Sequence, residues 1–310
     1  MPRNHAIVYV TDRAFLPPTL SSARSFERKG VDADIFIFLT EDNELEQSKQ
    51  WLYEQDSKIQ IDFRKMAGVS GFQTLPHISP TTYGRLLLDT WLSPHYERVL
   101  YLDGDTIHGP KPLDFLVPLN GKVFGAVVDL GDLLERIQDK YPQASSDNLD
   151  RSRYFNAGVL LFDWGKWCSG EYSKKTLELL AKQPDLPLGD QDALNLVCQD
   201  DVCLLPVEWN CQTPILHDIK TIQGSHILHY NGGIKPWQLD RWPHKSQHGY
   251  AFKPFMLSMP FHTSYKHSTL RAKFKRFFKP IEAYFKRGSR QKISSIAIPY
   301  DQSNEKKFEK

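Results

Sequence analysis

Two aspartates separated by a single glycine, Asp103-Gly104-Asp105, stand directly after the apolar run Val99-Leu100-Tyr101-Leu102. In extended chain, residues i and i+2 project to the same side, so these two carboxylates repel unless a positive charge lies between them. A polar turn would explain an isolated pair, since Asp is a common turn residue. The apolar strand leading into the pair and the glycine, which lets backbone approach a ligand closely, point instead to a divalent cation. Mg²⁺ or Mn²⁺ carrying a diphosphate uses both carboxylates well.

A second stretch, "ILHYNGGIKPW" (227–237), offers His229 as a nitrogen ligand after an apolar run. Gly232-Gly233 can present backbone N–H groups to phosphate, and Lys235 adds a point charge. A core histidine followed by a flexible turn is the plain structural alternative. A shell mixing carboxylate and imidazole leans toward Mn²⁺ over Mg²⁺. The third group is "YFNAGVLLFDWGKW" (154–167) with "LGDQDALN" (188–195). Asp190 and Asp192 either cap the helix that follows or take part in chemistry. Asn156 interrupts an apolar strand, where an unpartnered amide is costly, and a polar ligand gives it a reason to be there.

These residues need a scaffold. Short β-rich runs are predicted at 5–11, 33–40, 58–63, 98–102, 122–128 and 155–163, with helical spacing at 20–29, 43–55 and 81–93. Continuous apolar strands alternating with helices indicate an α/β domain built on a mostly parallel sheet. Ligands in such sheets sit beyond the carboxyl ends of the strands. Asp12 and the Asp103/Asp105 pair both fall at such ends. No internal repeat and no GxGxxG loop is present, so neither a solenoid nor a dinucleotide fold is indicated.

The chain has 310 residues, 40% hydrophobic and 25% charged, a composition that suits one large domain or two small ones. Cys168, Cys198, Cys203 and Cys211 form no CxxC pair and read as reduced thiols of a cytoplasmic protein. No signal peptide and no apolar run of about 18 residues is seen. The net charge of +2 conceals an asymmetry, because Lys266 to Lys292 hold ten Lys or Arg against one Glu. The remaining chain therefore carries −7. A catalytic unit is expected over 1–262 and a basic, amphipathic helical tail over 263–310, its last residues disordered. Apolar residues at 270, 274, 277, 278, 281 and 285 form a helical stripe among the cations, and Pro280 divides it into two short helices. Phe274, Phe277, Phe278, Tyr284 and Phe285 among Lys and Arg have the composition of an interfacial helix on an anionic membrane. A nucleic-acid partner lacks a folded recognition motif.

The blocks "HISPTTYGRLLL", "VLYLDGDT", "YFNAGVLLFD", "LGDQDALN", "LPVEWNCQ" and "LHYNGGIKPW" occur in the order and spacing of family 8 glycosyltransferases. The chain resembles that family, which includes bacterial lipooligosaccharide galactosyltransferases and glycogenin, over roughly residues 5 to 240. The resemblance implies a GT-A fold, a UDP-sugar donor, a Mn²⁺-type cation and transfer with retention of configuration. It matches Asp103, Asp105 and His229 to the metal ligands, Lys235 to the diphosphate-binding lysine and Gly232 to a backbone donor to phosphate. Thr11 and Asp12 match the loop that holds uridine, and Arg85 an arginine at the donor site. Asn156, Asp190 and Gln191 match residues around the donor sugar. After Asp12 this chain reads Arg13-Ala14-Phe15, where relatives often have Asn before the aromatic.

The expected activity is transfer of glucose or galactose from UDP-sugar to a glycan, lipopolysaccharide or another surface glycan, with Asp190 and Gln191 as the catalytic pair. The site of action would be the cytoplasm or the inner face of its membrane. A nucleotide-sugar hydrolase and a non-catalytic sugar-nucleotide binder are the alternatives.

Overall fold

The computed structural model describes residues 3–69, 71–72, 79–131, 151–233, 235–237, 252 and 259. The first strand, β1 (His5–Thr11), is an apolar run buried at all but its first residue. Helix α1 (Leu16–Arg28) follows, then β2 (Asp34–Leu39), α2 (Leu45–Glu54) and β3 (Gln60–Phe63). Helix α1 starts before the predicted position 20. Pro17 and Pro18 occupy its first turn, where a missing N–H costs nothing and a fixed φ suits the helix. The stretch predicted as one helix over 81–93 is a 3₁₀ segment, Pro80–Leu87, running into the short α3 (Leu88–Trp91). The Ser79 hydroxyl opens that segment by accepting the Thr81 N–H at 3.3 Å.

Strands β4 (Arg98–Leu102), β6 (Phe124–Ala126), β7 (Val159–Asp163) and β8 (Val202–Leu204) complete a seven-stranded sheet of order β3-β2-β1-β4-β7-β6-β8. Its neighbours are parallel except at β7, which runs against both β4 and β6. Alternation along β1 sends Ala6, Val8 and Val10 into one hydrophobic layer and Ile7 and Tyr9 into the other, so both faces of the sheet are covered. Helices α4 (Trp164–Ser169), α5 (Tyr172–Lys182) and α6 (Asp190–Cys198) follow β7.

Beside the large sheet lies a three-stranded one of order β5-β10-β9, made from β5 (Thr106–His108), β9 (Cys211–Gln212) and β10 (Ile227–His229). It joins the large sheet through the Asp103-Gly104-Asp105 turn. The four cysteines are free. Among the described residues no helix is long and apolar enough to cross a membrane. The predicted helices of the basic tail, and all of 263–310, lie outside the described residues.

Candidate active site

Asp103 closes β4 and Asp105 precedes β5, so the pair spans the passage from one sheet to the other. The chain there is a tight turn, with the Thr106 N–H on the Asp103 carbonyl at 3.2 Å, and not the extended segment expected from the sequence. β10 lies antiparallel to β5 with His229 opposite Thr106, and the Tyr230 N–H donates to the Asp105 carbonyl at 3.0 Å. That pairing carries a histidine from the far end of the domain to the two aspartates. One ligand atom from each of Asp103, Asp105 and His229 lies within 4.8 Å of the others, the only such His/Cys/Asp/Glu group among the described residues.

The two carboxylates are divided between protein partners and a common centre. Asp103 Oδ1 accepts from Arg85 Nη2 at 3.1 Å and from the Tyr101 hydroxyl at 2.8 Å. Its Oδ2 lies 4.0 Å from His229 Nε2. Asp105 Oδ2 takes Lys235 Nζ at 2.6 Å, while Oδ1 lies 3.2 Å from His229 Nε2. Burial would raise the Asp105 carboxyl, but Lys235 and His229 beside it override that and hold it well below the usual carboxylate range. Asp105 Oδ1 and His229 Nε2 are both buried, and neither makes a hydrogen bond. Two buried polar atoms that face one another without a hydrogen bond are costly unless a cation joins them, and carboxylate with imidazole is a donor set suited to Mn²⁺.

The space is kept open by Gly158. A Cβ there would sit 2.3 Å from His229 Cε1 and 2.7 Å from Asp103 Oδ2. Gly158 is present because β7 is reversed. Val159 pairs with Leu102, so the residues before β7 lie at the carboxyl end of β4, and the Asp103 N–H donates to the Gly158 carbonyl at 2.8 Å. The same reversal brings Asn156 into the site. Gly104 serves a different purpose from the ligand approach expected: a Cβ on it would lie 2.1 Å from Thr19 Oγ1, so the turn packs directly on α1.

Arg85, 4% exposed, ties this centre to Asp190. Its guanidinium contacts Asp103 as above, Asp190 Oδ2 at 2.8 Å through Nε, and the Ala157 carbonyl. It also lies over the Tyr101 ring, 4.7 Å from the centroid. Burial disfavours its charge, yet Asp103 and Asp190 more than compensate and push its pKa above the usual value. For Asp190 the balance falls the other way, since burial raises its pKa further than Arg85 lowers it.

Gln191 begins the next ring of contacts. Its Nε2 donates to Asp129 Oδ2 at 3.0 Å and to the Tyr154 hydroxyl at 3.3 Å, and its Oε1 accepts the Ala157 N–H at 3.0 Å. Asn156 donates to Asp129 Oδ2 at 3.1 Å. Asp192 is a structural cap: it accepts the Leu188 N–H at 2.7 Å and the Tyr154 hydroxyl at 2.5 Å.

The structure thus unites Asp103, Asp105, His229, Lys235, Arg85, Asp190, Asn156 and Gln191 in one connected cluster. Three further sequence-selected residues have their hydrogen-bond partners outside that cluster. Thr11 receives the Thr19 hydroxyl at 3.0 Å, and Asp12 accepts the Phe15 N–H at 2.9 Å and the Ser79 hydroxyl at 2.6 Å, so both act in the β1–α1 connection. The Gly232 N–H donates to Thr213 Oγ1 at 3.0 Å. Arg13 pairs with Glu44 at 2.7 Å. Phe15 meets Trp237 edge-on at 5.4 Å, which links the β1 loop to the Lys235 segment. Sequence reasoning missed Tyr101, Asp129, Tyr154 and Asn210. Tyr101 read as one more apolar strand residue, and the others have no local signal, because their partners are distant in the chain.

Comparison with known proteins bears on the same residues. The sequence model described as glycosyl transferase family 8 matches residues 6–240. The chain is 29% identical over 171 residues to a lipopolysaccharide 1,2-glucosyltransferase of Escherichia coli K12, covering 51% of this chain and 49% of that protein. It is 30% identical over 168 residues to a lipopolysaccharide 1,3-galactosyltransferase of Salmonella typhimurium LT2, covering 50% and 49%. The match thus spans about half the length of each of these relatives. The galactosyltransferase LgtC, solved in complex with donor and acceptor sugar analogs, superimposes with a TM-score of 0.64 at 24% identity. That superposition covers 82% of this chain and 96% of LgtC, and shows a shared fold.

Proposed function

The chain belongs to glycosyl transferase family 8, and from that membership we propose a divalent-cation-dependent, retaining hexosyltransferase that takes glucose or galactose from a UDP-sugar. The observation that carries this reading is the buried Asp103–Asp105–His229 cluster with Lys235 against it. Asp103 Oδ2, Asp105 Oδ1 and His229 Nε2 would hold the cation, Mn²⁺ before Mg²⁺, and when bound it supplies a Lewis acid that stabilises the charge of the departing diphosphate. Lys235, whose ammonium is already directed into the cluster, adds a second positive charge for that leaving group. Thr11 and Asp12 form the end of β1, where the uridine would rest, and Gly232 supplies backbone beside the diphosphate.

On the sugar side, Gln191 positions the ring and stabilises positive charge developing on it. Its fixed contacts to Asp129 and the Ala157 N–H make it a preorganised group. Asp190 orients sugar or acceptor hydroxyls, with Arg85 and Asn156 defining the walls. Retention then proceeds by front-face attack, with the leaving phosphate guiding the acceptor hydroxyl, since the cluster holds no nucleophile paired with an activating base.

The acceptor is a growing lipopolysaccharide or another surface glycan, a reading supported by the two lipopolysaccharide hexosyltransferases among the relatives. In this reading residues 1–262 are the catalytic domain. The basic tail from 263 holds the protein on the anionic inner face of the cytoplasmic membrane, where a lipid-linked acceptor is presented. Incubation of the protein and Mn²⁺ with a panel of UDP-sugars, with UDP release as readout, tests the proposal. Release from UDP-glucose or UDP-galactose that rises with a glycan acceptor supports transfer. Release that is equal with and without acceptor would make the protein a hydrolase, and binding without release would make it a non-catalytic binder.

A further inference from the structure

We infer that Asn210, completely buried and outside the cluster selected by sequence, fixes which nitrogen of His229 faces the cation site, and that the Gly158 backbone amide fixes Asn210 in turn. A backbone N–H can only donate. The Gly158 N–H lies 3.0 Å from the Asn156 side-chain oxygen, which identifies that atom as an acceptor. The Asn210 amide reaches the same oxygen at 3.0 Å and must do so with its NH₂ group. Its oxygen is therefore turned to His229 Nδ1, 2.9 Å away. An oxygen accepts, so in the neutral imidazole Nδ1 carries the ring proton and Nε2 keeps its lone pair toward Asp103 and Asp105.

The far end of the chain agrees. The Asn156 NH₂ group donates to Asp129 Oδ2 at 3.1 Å, and Gln191 Nε2 donates to the same oxygen at 3.0 Å. A carboxylate accepts only, so both ends of the relay demand the same polarity. None of these amides can flip without placing two donors or two acceptors against each other. With Asn210 at 0% exposure and His229 at 1%, water has no ready way to repair such a mismatch. The opposite tautomer would direct an N–H into the space between the carboxylates and exclude a cation. Asn210 is thus a positioning residue, joining a cation ligand to Asn156 on the sugar side of the site. The inference rests on the proposed function only for the identity of the cation, since the tautomer is a property of the protein alone.

The test is ¹⁵N NMR of histidine-labelled protein without metal, with His229 assigned by His229→Gln, together with Mn²⁺ titration by electron paramagnetic resonance. Recorded at a pH where the imidazole is neutral, the expected spectrum has His229 Nδ1 protonated and Nε2 bare. A neutral ring with its proton on Nε2 and Nδ1 bare would overturn the inference whatever the protein's activity. Asn210→Leu should release the tautomer and raise the Mn²⁺ Kd by roughly 10- to 100-fold, the usual effect of losing an outer-shell partner. The near-isosteric Asn210→Asp covers the possibility that the leucine variant does not fold. Its carboxylate still accepts from Nδ1–H, so the tautomer should persist, but it cannot donate to Asn156, so UDP-sugar binding should weaken more than Mn²⁺ binding does. Equal losses of both in Asn210→Asp, or an unchanged tautomer and Mn²⁺ Kd in Asn210→Leu, would reduce Asn210 to a packing residue.

Discussion

Replacing Gly158 by alanine adds one methyl group and tests whether the site depends on the close approach of His229 and Asp103 to the Gly158 backbone. The new Cβ would lie 2.3 Å from His229 Cε1, 2.7 Å from Asp103 Oδ2 and 3.0 Å from His229 Nε2, while ordinary contact begins at 3.4 Å. The ring or the backbone must therefore yield by about 1.1 Å. The backbone is held on both sides, by the Asp103 N–H on the Gly158 carbonyl and by the Gly158 N–H on Asn156. His229 is the group that moves. Metal–ligand distances tolerate about 0.2 Å, so a displacement of this size removes the imidazole from the coordination shell. A misplacement of about 1 Å can cost about a hundredfold in rate, or ~2.7 kcal/mol on the barrier, and overpacking itself costs about 1–3 kcal/mol of stability. Calorimetric Mn²⁺ titration in the presence of UDP, alongside a thermal melt, reads both effects. Gly165→Ala is the control, because its Cβ meets nothing closer than Asp163 Oδ1 at 3.9 Å. It should bind Mn²⁺ normally and gain a little helix stability. Wild-type Mn²⁺ affinity and an unchanged Tm in Gly158→Ala would refute the reasoning.

Asp103→Asn or Asp105→Asn should lower the rate of donor turnover by roughly a thousandfold or more, several kcal/mol on the barrier, while the circular dichroism spectrum is retained. Full wild-type activity in excess EDTA would contradict the same premise. Burial raises the pKa of Asp192, so the folded state binds its proton more tightly than the unfolded chain does, and stability falls as pH rises from about 4 through the raised value. Asp192→Asn lacks that proton, and the difference in Tm between the variant and the wild type should shift in the variant's favour over this window; a constant difference would reject it. Sedimentation with anionic vesicles at low salt should capture the full chain but not one ending near Pro260, and equal behaviour of the two would remove the membrane role of the tail.

The legible parts of this molecule were those with local causes. β1 and β4 are continuous apolar runs that lead into aspartate, and both are readable as buried strands with a site at their carboxyl ends. Reversal of β7 was not readable, because a strand buried on both faces has the same pattern in either direction. That reversal places Asn156 and Gly158 in the site. Asn156 stood out as a polar residue in an apolar run, yet its needs are met by Asp129, Asn210 and Gly158, and not by a ligand alone. β5, β9 and β10 have two or three residues each, too short for periodicity, although the last of them carries His229. Asp192 reads from the sequence as either cap or chemistry, and the Leu188 N–H and Tyr154 hydroxyl that it accepts give it a structural role.

Crystals grown with UDP and Mn²⁺ and measured at the manganese absorption edge test the central claim most directly. One anomalous peak should appear within direct ligand distance of Asp103 Oδ2, Asp105 Oδ1 and His229 Nε2, with the diphosphate on its open side and Lys235 turned toward that diphosphate. UDP bound elsewhere, or a peak lacking one of these three side chains, would contradict the account.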